Sequence, residues 1–564
     1  MKSSHTKMAA LRMVGLLLLC NQALADQRPN ILLMMSEDLS SRIGAFDDVV
    51  AVTPNIDSLA SEGVRYTNVF TTAGVCAPSR AATIMGTHAI SFGAQHMRTS
   101  GKDYATVPPP KMKAYPERLR EQGYYTLTDT KLDYQFSGTM YGSGPFSIWD
   151  KEGRGVGIED APLDRPFFAQ LNFMVTHESG IFPPFGNWPH SVTHFIMQIL
   201  RPFMGRTSEP VASITAEKIK IEPYYPDTPT VRDDIVRHYQ NITAMDSEVG
   251  DILSYLREKN LDENTIVIWT TDHGDGLPRA KRELYDSGIK VPMIIRWPEK
   301  LRPSHVKPGS VDPQLISFVD LAPTILAMAQ LNSTHKTSST STHRAEKRHG
   351  RDIFSTTPQR QYVLASRDRI DEVPDRQRAI RDTRFKYIRS YYPNQEGGHR
   401  LNFRDNIPMV REMFELLADG KLNADQQLWF QSPGEERLFD LQEDPYELSN
   451  LANATEHKAD LVRLRTALDK RLKEIGDFSD QSESEMKESF LVDGDQGQTL
   501  SPVFSFDGEY LSLTSNDSAS IGYRINGGDW QIYTQPLALH NESGLEAKAQ
   551  RYGWQASEIV SWPY

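Results

Sequence analysis

The sequence predicts an α/β protein with a large, mainly parallel sheet flanked by helices, and three observations support this class. From residue 28 to about 325, strand-like runs alternate with helix-like segments, which is the pattern of repeated βαβ units. The run NILLMMS at 30–36 has no polar face, as expected for a strand covered on both sides. At 564 residues, the chain can hold such a domain and one or two smaller ones.

The elements of the main domain are predicted in chain order. After the strand at 30–36, TPNIDSLASEGV at 53–64 has a Thr cap, a Pro at its first position and a Gly near its end, which indicate a helix. Further strands are expected at 167–175, 265–271 and 291–297.

The C-terminal half predicts smaller units. Residues 332–349 are polar and rich in Ser and Thr, which indicates a flexible insertion. A smaller C-terminal α+β subdomain follows, with a strand at 378–392 and a strand, a turn and the start of a helix at 436–452. The segment 477–489 is acidic and poor in apolar residues, which indicates a linker. From about residue 500, short strands and turns predict an appended small β-sandwich.

The N-terminus has the features of a secretory signal peptide. Residues 1–12 are basic and contain no acid, residues 13–20 form a short apolar run, and small residues at 23–25 precede a cleavage point before Asp26. The apolar run is shorter than the roughly 20 residues of a membrane span, and no later stretch is long and apolar enough. We therefore expect a secreted or periplasmic protein without a membrane span. The predicted parts are a signal peptide at 1–25, the main α/β domain at 26–330, the C-terminal subdomain at 331–476, a linker at 477–499 and the β-sandwich at 500–564.

Composition restricts the kinds of molecule that this protein can bind. The formal net charge of −12 argues against a nucleic-acid-binding protein. An anionic substrate remains possible, because a few convergent basic side chains can hold an anion whatever the global charge.

Cys76 is the only cysteine that remains once the leader is removed. No intramolecular disulfide is then possible, although exported proteins usually carry an even set of paired cysteines. A lone thiol in an oxidising compartment is a liability unless it is buried, paired between chains or chemically converted. The residues that follow it, Ala77-Pro78-Ser79-Arg80, argue against a purely structural buried cysteine.

Charged groups follow four predicted strands. In open α/β sheets, chemistry collects beyond the carboxyl ends of strands. Two acidic pairs on neighbouring strand ends can bind one hard divalent cation through oxygen. The four strand-end groups are Glu37-Asp38, Lys131, Thr176-His177-Glu178 and Asp272-His273.

Residues 76–80 resemble the Cys-x-Pro-Ser-Arg motif of the formylglycine-dependent (type I) sulfatases, which have an alkaline-phosphatase-like fold. Residues 28–38 are similar to the opening strand of that family with its metal-binding acids. Residues 271–298 are similar to the second metal segment, the sulfate-binding lysine and the strand that follows. The resemblance covers roughly 28–455.

Two further segments narrow the resemblance. Residues 86–98 and 175–182 resemble family members that act on sulfated polysaccharides, including a heparan N-sulfatase-like branch. The implied substrate is a sulfated polysaccharide or its oligosaccharides, with an ulvan-type algal polysaccharide first and a glycosaminoglycan second. Two alternatives stay open: a phosphate-ester hydrolase of the same superfamily, and a non-catalytic polysaccharide-binding homologue.

The resemblance implies the cofactors. A formylglycine-generating maturation enzyme would oxidise Cys76 to 3-oxoalanine (formylglycine), whose hydrate attacks sulfur and then expels sulfate. One divalent cation per chain would complete the site. Calcium is the first choice because three carboxylates dominate the ligand set. The implied metal ligands are Glu37, Asp38, Cys76, Asp272 and His273.

The resemblance also implies roles for basic side chains. Arg80 would hold the hydrate and neutralise developing charge, while Lys131 and Lys281 would clamp the sulfate oxygens. His177 would be the general acid for the leaving alcohol. The residues expected to grip the rest of the substrate are His96 and Arg98.

Overall fold

The computed structural model describes residues 28–562 apart from 100–103, 140–143, 204–209, 330–347, 357, 516–517 and 539–543. The predicted signal peptide and most of the predicted insertion at 332–349 therefore lie outside the described residues. Within the described part of the chain, no helix is both long and apolar enough to cross a membrane.

A nine-stranded sheet forms the centre of the main domain, and the predicted α/β class is confirmed. Its order is β4-β3-β5-β1-β6-β7-β2-β8, and β9 also pairs with β2. All pairs are parallel except those of β7, which runs antiparallel to both neighbours. The strands are β1 (Asn30–Ser36), β2 (Val64–Phe70), β3 (Tyr125–Thr128), β4 (Lys151–Glu152), β5 (Phe167–Phe173), β6 (Thr265–Thr271), β7 (Lys290–Arg296), β8 (Val311–Asp312) and β9 (Ile316–Ser317).

Helices cover both faces of this sheet. Alternate residues of β1 point to opposite sides, so Leu32 and Met34 join one apolar cluster and Ile31 and Leu33 join the other. Helices α1 and α5 pack in the first cluster, and α2, α3 and α7 pack in the second. The helices of the main domain are α1 (Pro54–Glu62), α2 (Cys76–Met85), α3 (Tyr115–Glu121), α4 (Val192–Leu200), α5 (Pro229–Glu258), α6 (Asp286–Ile289) and α7 (Leu321–Met328).

The C-terminal subdomain holds a four-stranded antiparallel sheet of order β10-β11-β12-β13. The expected single strand at 378–392 is wrong. Asp382 accepts hydrogen bonds from the backbone N–H groups of Arg384 and Phe385, which turns the chain and divides the segment into a hairpin. The strands are β10 (Val363–Arg367), β11 (Gln377–Arg381), β12 (Phe385–Ser390) and β13 (Glu436–Asp440), and the helices are α8 (Pro408–Ala418), α9 (Ala424–Gln427) and α10 (Lys458–Ile475).

Two other expectations for this half differ from the structure. After β13 the chain turns as expected, but no helix begins before residue 455. The segment 477–489, expected as a linker, contains most of helix α11 (Glu483–Phe490). Met486 and Phe490 lie one turn apart on α11 and are buried beside Tyr104, and Glu483 of the same helix pairs with Arg369.

The C-terminal region forms two antiparallel sheets, of order β16-β17-β20 and β19-β18-β21-β22. It packs against the main domain, where Tyr552 stacks on Phe136 with ring centroids 5.1 Å apart. The remaining strands are β14 (Leu491–Val492), β15 (Asp495–Gln496), β16 (Val503–Phe506), β17 (Tyr510–Thr514), β18 (Ser520–Ile525), β19 (Gln531–Ile532), β20 (Leu537–Ala538), β21 (Leu545–Gln550) and β22 (Val560–Ser561).

Candidate active site

The strand-end residues meet at one edge of the main sheet because β1 lies between β5 and β6 in parallel register. Ser36 at the end of β1 pairs with Phe173 of β5 and Thr271 of β6. The residues that follow each strand therefore emerge side by side. The backbone N–H of Glu37 donates to the Phe173 carbonyl, and that of Asp272 donates to the Ser36 carbonyl.

Four of the predicted metal ligands form one buried cluster. The ligand atoms of Asp38, Cys76, Asp272 and His273 all lie within 4.8 Å of one another. A second, overlapping group joins Glu37 and His177 to Asp38 and Cys76. The predicted ligands thus offer the carboxylate oxygens of Glu37, Asp38 and Asp272 and the imidazole of His273. Carboxylate oxygens suit a hard divalent cation.

His273 is oriented toward this cluster. Its Nδ1 lies 2.9 Å from the carbonyl oxygen of Gly274, which only accepts, so Nδ1 carries the proton. Nε2 then faces Asp38 Oδ1, 3.1 Å away, where a second ring proton would be shared with the carboxylate. Burial lowers the pKa of His273, but Asp272 and Asp38 outweigh it and hold the pKa well above its usual range. The cluster thus favours positive charge, which a metal ion would supply in place of that proton.

Cys76 is the first residue of α2, a helix whose ten residues are all buried. Its Sγ lies 3.3 Å from His273 Nε2 and 3.8 Å from Glu37 Oε2. Burial raises the pKa of the thiol. These polar neighbours differ from the apolar surroundings of a structural cysteine.

Arg80 connects three parts of the site from one turn further along α2. Its guanidinium donates to a carboxylate oxygen of Glu37, to Asp272 Oδ2 at 3.2 Å and to Asn172 Oδ1 at 2.7 Å. Burial disfavours the charge, but Glu37 and Asp272 hold the pKa of Arg80 above its ordinary value. Arg80 therefore stays charged and fixes both carboxylates.

Two buried ammonium groups flank the cluster. Lys131 Nζ lies 3.3 Å from Glu37 Oε2, and Lys281 Nζ lies 2.6 Å from Asp38 Oδ2. Burial lowers the pKa of each lysine, but the surrounding negative groups raise it above its usual value. Both groups are charged and lie beside residue 76, so an anion at this point would meet two cations.

His177 lies beside Lys281, with its Nε2 at 3.4 Å from the ammonium nitrogen. Its Nδ1 is 2.9 Å from Ser179 Oγ, which sets the ring orientation. Burial, with a further contribution from Lys281, lowers the pKa of His177 to about 3. The imidazole is therefore neutral at ordinary pH.

The two residues expected to grip substrate lie in different environments. Arg98 donates to Asp133 Oδ1 at 2.9 Å, and its side chain is 34% exposed. His96 is buried, and its Nδ1 accepts the backbone N–H of Arg369 at 3.2 Å. Arg98 is thus available to a ligand, whereas His96 is engaged in a contact between two loops.

The sequence analysis assigned no role to Glu178 and Arg282. Arg282 binds Glu178 through two hydrogen bonds of 2.8 Å, and Glu178 Oε1 lies 3.1 Å from Lys281 Nζ. The only signal in the sequence is adjacency, because Glu178 follows His177 and Arg282 follows Lys281. This pair holds Lys281 in position.

The backbone of the site is strained at several residues that are not glycine. Left-handed conformations are uncommon for such residues and collect at functional sites. No pattern in the sequence indicates them. The residues and their φ angles are Asp38 (47°), Arg98 (61°), Lys131 (59°), Asp133 (52°) and Arg282 (77°).

Comparison with known proteins identifies the family. A family profile described as Sulfatase matches residues 29–152 and 154–331. The chain belongs to the sulfatase family. A second profile, described as N-sulphoglucosamine sulphohydrolase, C-terminal, matches residues 279–420. Sulfatases hydrolyse sulfate esters, and membership implies formylglycine and a divalent metal.

Relatives agree with this assignment. An ulvan-active sulfatase of Formosa agariphila is 38% identical over 95% of this chain and 91% of its own length. Human N-sulphoglucosamine sulphohydrolase is 27% identical over 54% of this chain and 61% of its own length.

Solved structures agree on the alkaline-phosphatase-like fold. A 2-O GAG sulfatase matches with a TM-score of 0.53 and 18% identity, over 81% of this chain and 94% of that one. The phosphonate monoester hydrolase of Agrobacterium radiobacter matches with a TM-score of 0.51 and 16% identity, over 80% and 96%. The fold alone therefore does not distinguish sulfate esters from phosphonates.

Proposed function

We propose that this sulfatase is exported and removes sulfate from an ulvan-type polysaccharide or its oligosaccharides, with glycosaminoglycans as the second choice. The observation that carries the proposal is the position of Cys76 at the start of α2, between two buried lysines and a carboxylate cluster. The choice of ulvan rests on the relative from Formosa agariphila, which aligns with nearly the whole chain. Export rests on the leader-like residues 1–25.

The proposed cofactors are one Ca²⁺ per chain and formylglycine at position 76. The cation would be held by Glu37, Asp38, Asp272, His273 and residue 76. When bound, it supplies positive charge that makes the attacking oxygen more acidic and stabilises the negative charge of the transition state. Formylglycine, made from Cys76 by a maturation enzyme, supplies the oxygen nucleophile that a thiol lacks.

Lys131 and Lys281 bind the sulfate group in this proposal. Their ammonium groups pair with Glu37 and Asp38 of the cluster and carry charge in the free protein. Donors that are already oriented cost no reorganisation when negative charge develops on the sulfate oxygens. Glu178 and Arg282 keep Lys281 in place, and Arg80 keeps the carboxylates of Glu37 and Asp272 in place.

His177 protonates the leaving sugar oxygen in this proposal. Its neutral imidazole must gain or relay a proton once substrate is bound, because its pKa is about 3 in the free protein. The negative charge of a bound sulfate ester offsets the effect of Lys281 on that pKa, since opposite charges favour the protonated ring. Arg98, which is partly exposed, would contact the sugar.

A panel of substrates tests the proposal. Mature chain would be incubated with sulfated ulvan oligosaccharides, sulfated glycosaminoglycan oligosaccharides, a phosphate monoester and a phosphonate monoester, with and without a chelator. We expect sulfate to be released from the ulvan oligosaccharides. The chelator should abolish this release, and added Ca²⁺ should restore it. Faster hydrolysis of the phosphate or phosphonate ester would favour the related hydrolase, and binding without turnover would favour a non-catalytic homologue. Recovery of activity with Mg²⁺ but not with Ca²⁺ would contradict the choice of calcium.

A further inference from the structure

Helix α4 presents its apolar side to solvent and its polar side to the protein. Val192, Phe195, Ile196, Ile199 and Leu200 repeat at the spacing of one helical face, and all five are exposed. A surface helix of a globular protein normally shows the opposite arrangement.

Polar side chains hold the inner side of α4. His194 Nε2 lies 2.8 Å from the carbonyl oxygen of Pro183, and Gln198 Nε2 donates to the carbonyls of Pro184 and Asn187 at 3.1 Å. Both side chains are buried. The orientation of the helix is therefore fixed by specific contacts, and it cannot simply rotate to bury its apolar side.

Three exposed aromatic side chains lie just before and just after the helix in the chain. Their exposed fractions are 77% for Phe185, 94% for Trp188 and 64% for Phe203. The guanidinium of Arg154 lies over the ring of Phe203, 5.5 Å from its centroid.

The size of this face is that of a protein interface. The three aromatic side chains alone expose on the order of 450 Å², if each fully exposed ring contributes about 150–250 Å². The five aliphatic and aromatic side chains of α4 bring the total close to the roughly 800 Å² per partner of a stable complex. The largest apolar patch of a typical monomer is only about 300–600 Å².

The charge of the segment selects among partners. Residues 179–200 contain no Asp, Glu, Lys or Arg, although 24% of the chain is charged. A sulfated polymer or an anionic membrane surface would need basic side chains at the contact. The next cation, Arg201, donates to Phe182 and Asn241 of its own chain instead. Apart from Arg154 at Phe203, the side chains named for this face are uncharged, and such a face suits an interface that is depleted of charge at its core.

We propose that the face formed by Phe185, Trp188, α4 and Phe203 joins two copies of this chain in a twofold-symmetric dimer. The same patch then serves both subunits, and the two α4 helices, each about 13 Å long, lie against each other. The proposal is independent of the substrate, since none of these side chains contributes a ligand atom to the carboxylate cluster.

Sedimentation of the full mature chain between about 0.1 and 50 μM tests the dimer. We expect the mass of two chains for the native protein, and a dissociation constant raised at least about a hundredfold in Ile196→Asp and Ile199→Asp, because a buried unpaired charge is costly. Val462→Asp, at a half-exposed valine of helix α10, is the matched control and should leave the dimer intact. Circular dichroism and sulfatase activity would show that each variant is folded.

Three results would overturn the proposal. The native chain could remain a monomer throughout this range. The dimer could persist unchanged in both Ile196→Asp and Ile199→Asp while the variants fold normally, which would place the contact elsewhere. The monomeric chain could float with vesicles of phosphatidylcholine and phosphatidylglycerol and lose that binding in Ile196→Asp, which would assign the face to a membrane.

Discussion

His177 shows how its surroundings decide what a single side chain can do. Burial and the neighbouring Lys281 lower its pKa to about 3, so it carries no proton to spare in the free protein. A general acid works best when its pKa lies near the working pH. In the proposed mechanism, the bound sulfate ester therefore helps to create the acid, which links proton transfer to correct binding of the substrate.

Replacing His177 should affect substrates according to their leaving groups. We expect His177→Ala to lower kcat/KM on a sulfated oligosaccharide by about 10²–10⁴-fold, the range of general acid–base catalysis. The loss on an aryl sulfate with an acidic phenol should be much smaller, because a phenolate leaves without a proton. Steady-state kinetics on both substrates would measure the difference between the two losses in kcat/KM. Equal losses would show that His177 acts on the sulfate group instead of the leaving oxygen.

At the scale of elements, the parallel register of β1, β5 and β6 brings the catalytic side chains together. Asp38 and Asp272 follow different strands, yet their carboxylates reach the same cluster. Burial raises the pKa of Asp38, but Lys281 and His273 outweigh it and hold the pKa well below its usual range. Asp38 is thus ionised and ready to bind a cation.

Removing either carboxylate should empty the metal site without unfolding the domain. We expect Asp38→Ala and Asp272→Ala to lower activity by more than about 100-fold, since even partners outside the ligand shell cost 10–100-fold. Metal content by mass spectrometry should fall in parallel, and circular dichroism should change little. Full activity in native protein after verified removal of all metal would contradict a cation-assisted reaction.

The sequence predicts the strands of the main sheet better than the contacts between their ends. Strands at 30–36 and 265–271 are found with the predicted bounds, because long apolar runs have few alternatives. Asn172 could not be found as a partner of Arg80, since the contact depends on the position of β5 beside β1 in the sheet. The hairpin within 378–392 was missed because its turn is set by one side chain, Asp382.

At the scale of the whole molecule, the C-terminal sandwich is joined to the main domain through a buried carboxylate. Glu117 of α3 accepts hydrogen bonds from Ser520 and Tyr552, both at 2.5 Å. Lys113 donates to Ser520 at 2.7 Å. Removing residues 495–564 would therefore expose charged groups of the main domain, and a loss of activity in that deletion would not identify a sugar-binding module.

Glu117 should matter far more to stability than a surface carboxylate of the sandwich. We expect Glu117→Ala to cost about 3–5 kcal/mol, because it leaves buried partners unpaired. Glu546→Ala, which breaks a half-exposed pair with Arg524, should cost at most about 1 kcal/mol. Chemical denaturation of both variants would measure the difference, and similar costs would contradict a buried junction.

The junction should also weaken in acid. Burial raises the pKa of Glu117, but Lys113 and three hydrogen bonds outweigh it and lower the pKa below its usual value. A lowered folded-state pKa gives stability that is present above the unfolded value of about 4.3 and is lost as the pH falls below it. The stability gap between native chain and Glu117→Ala should therefore narrow below pH 4. A gap independent of pH would contradict an ionised Glu117.

The most direct test concerns residue 76. Peptide mass spectrometry would measure the fraction of chains that carry formylglycine there, in preparations made with different amounts of the maturation enzyme. Sulfate release per chain from a sulfated oligosaccharide would be measured in the same samples. We predict that activity rises in proportion to the formylglycine fraction and is absent in Cys76→Ala. Full activity in a preparation in which every chain carries the free thiol would contradict the account.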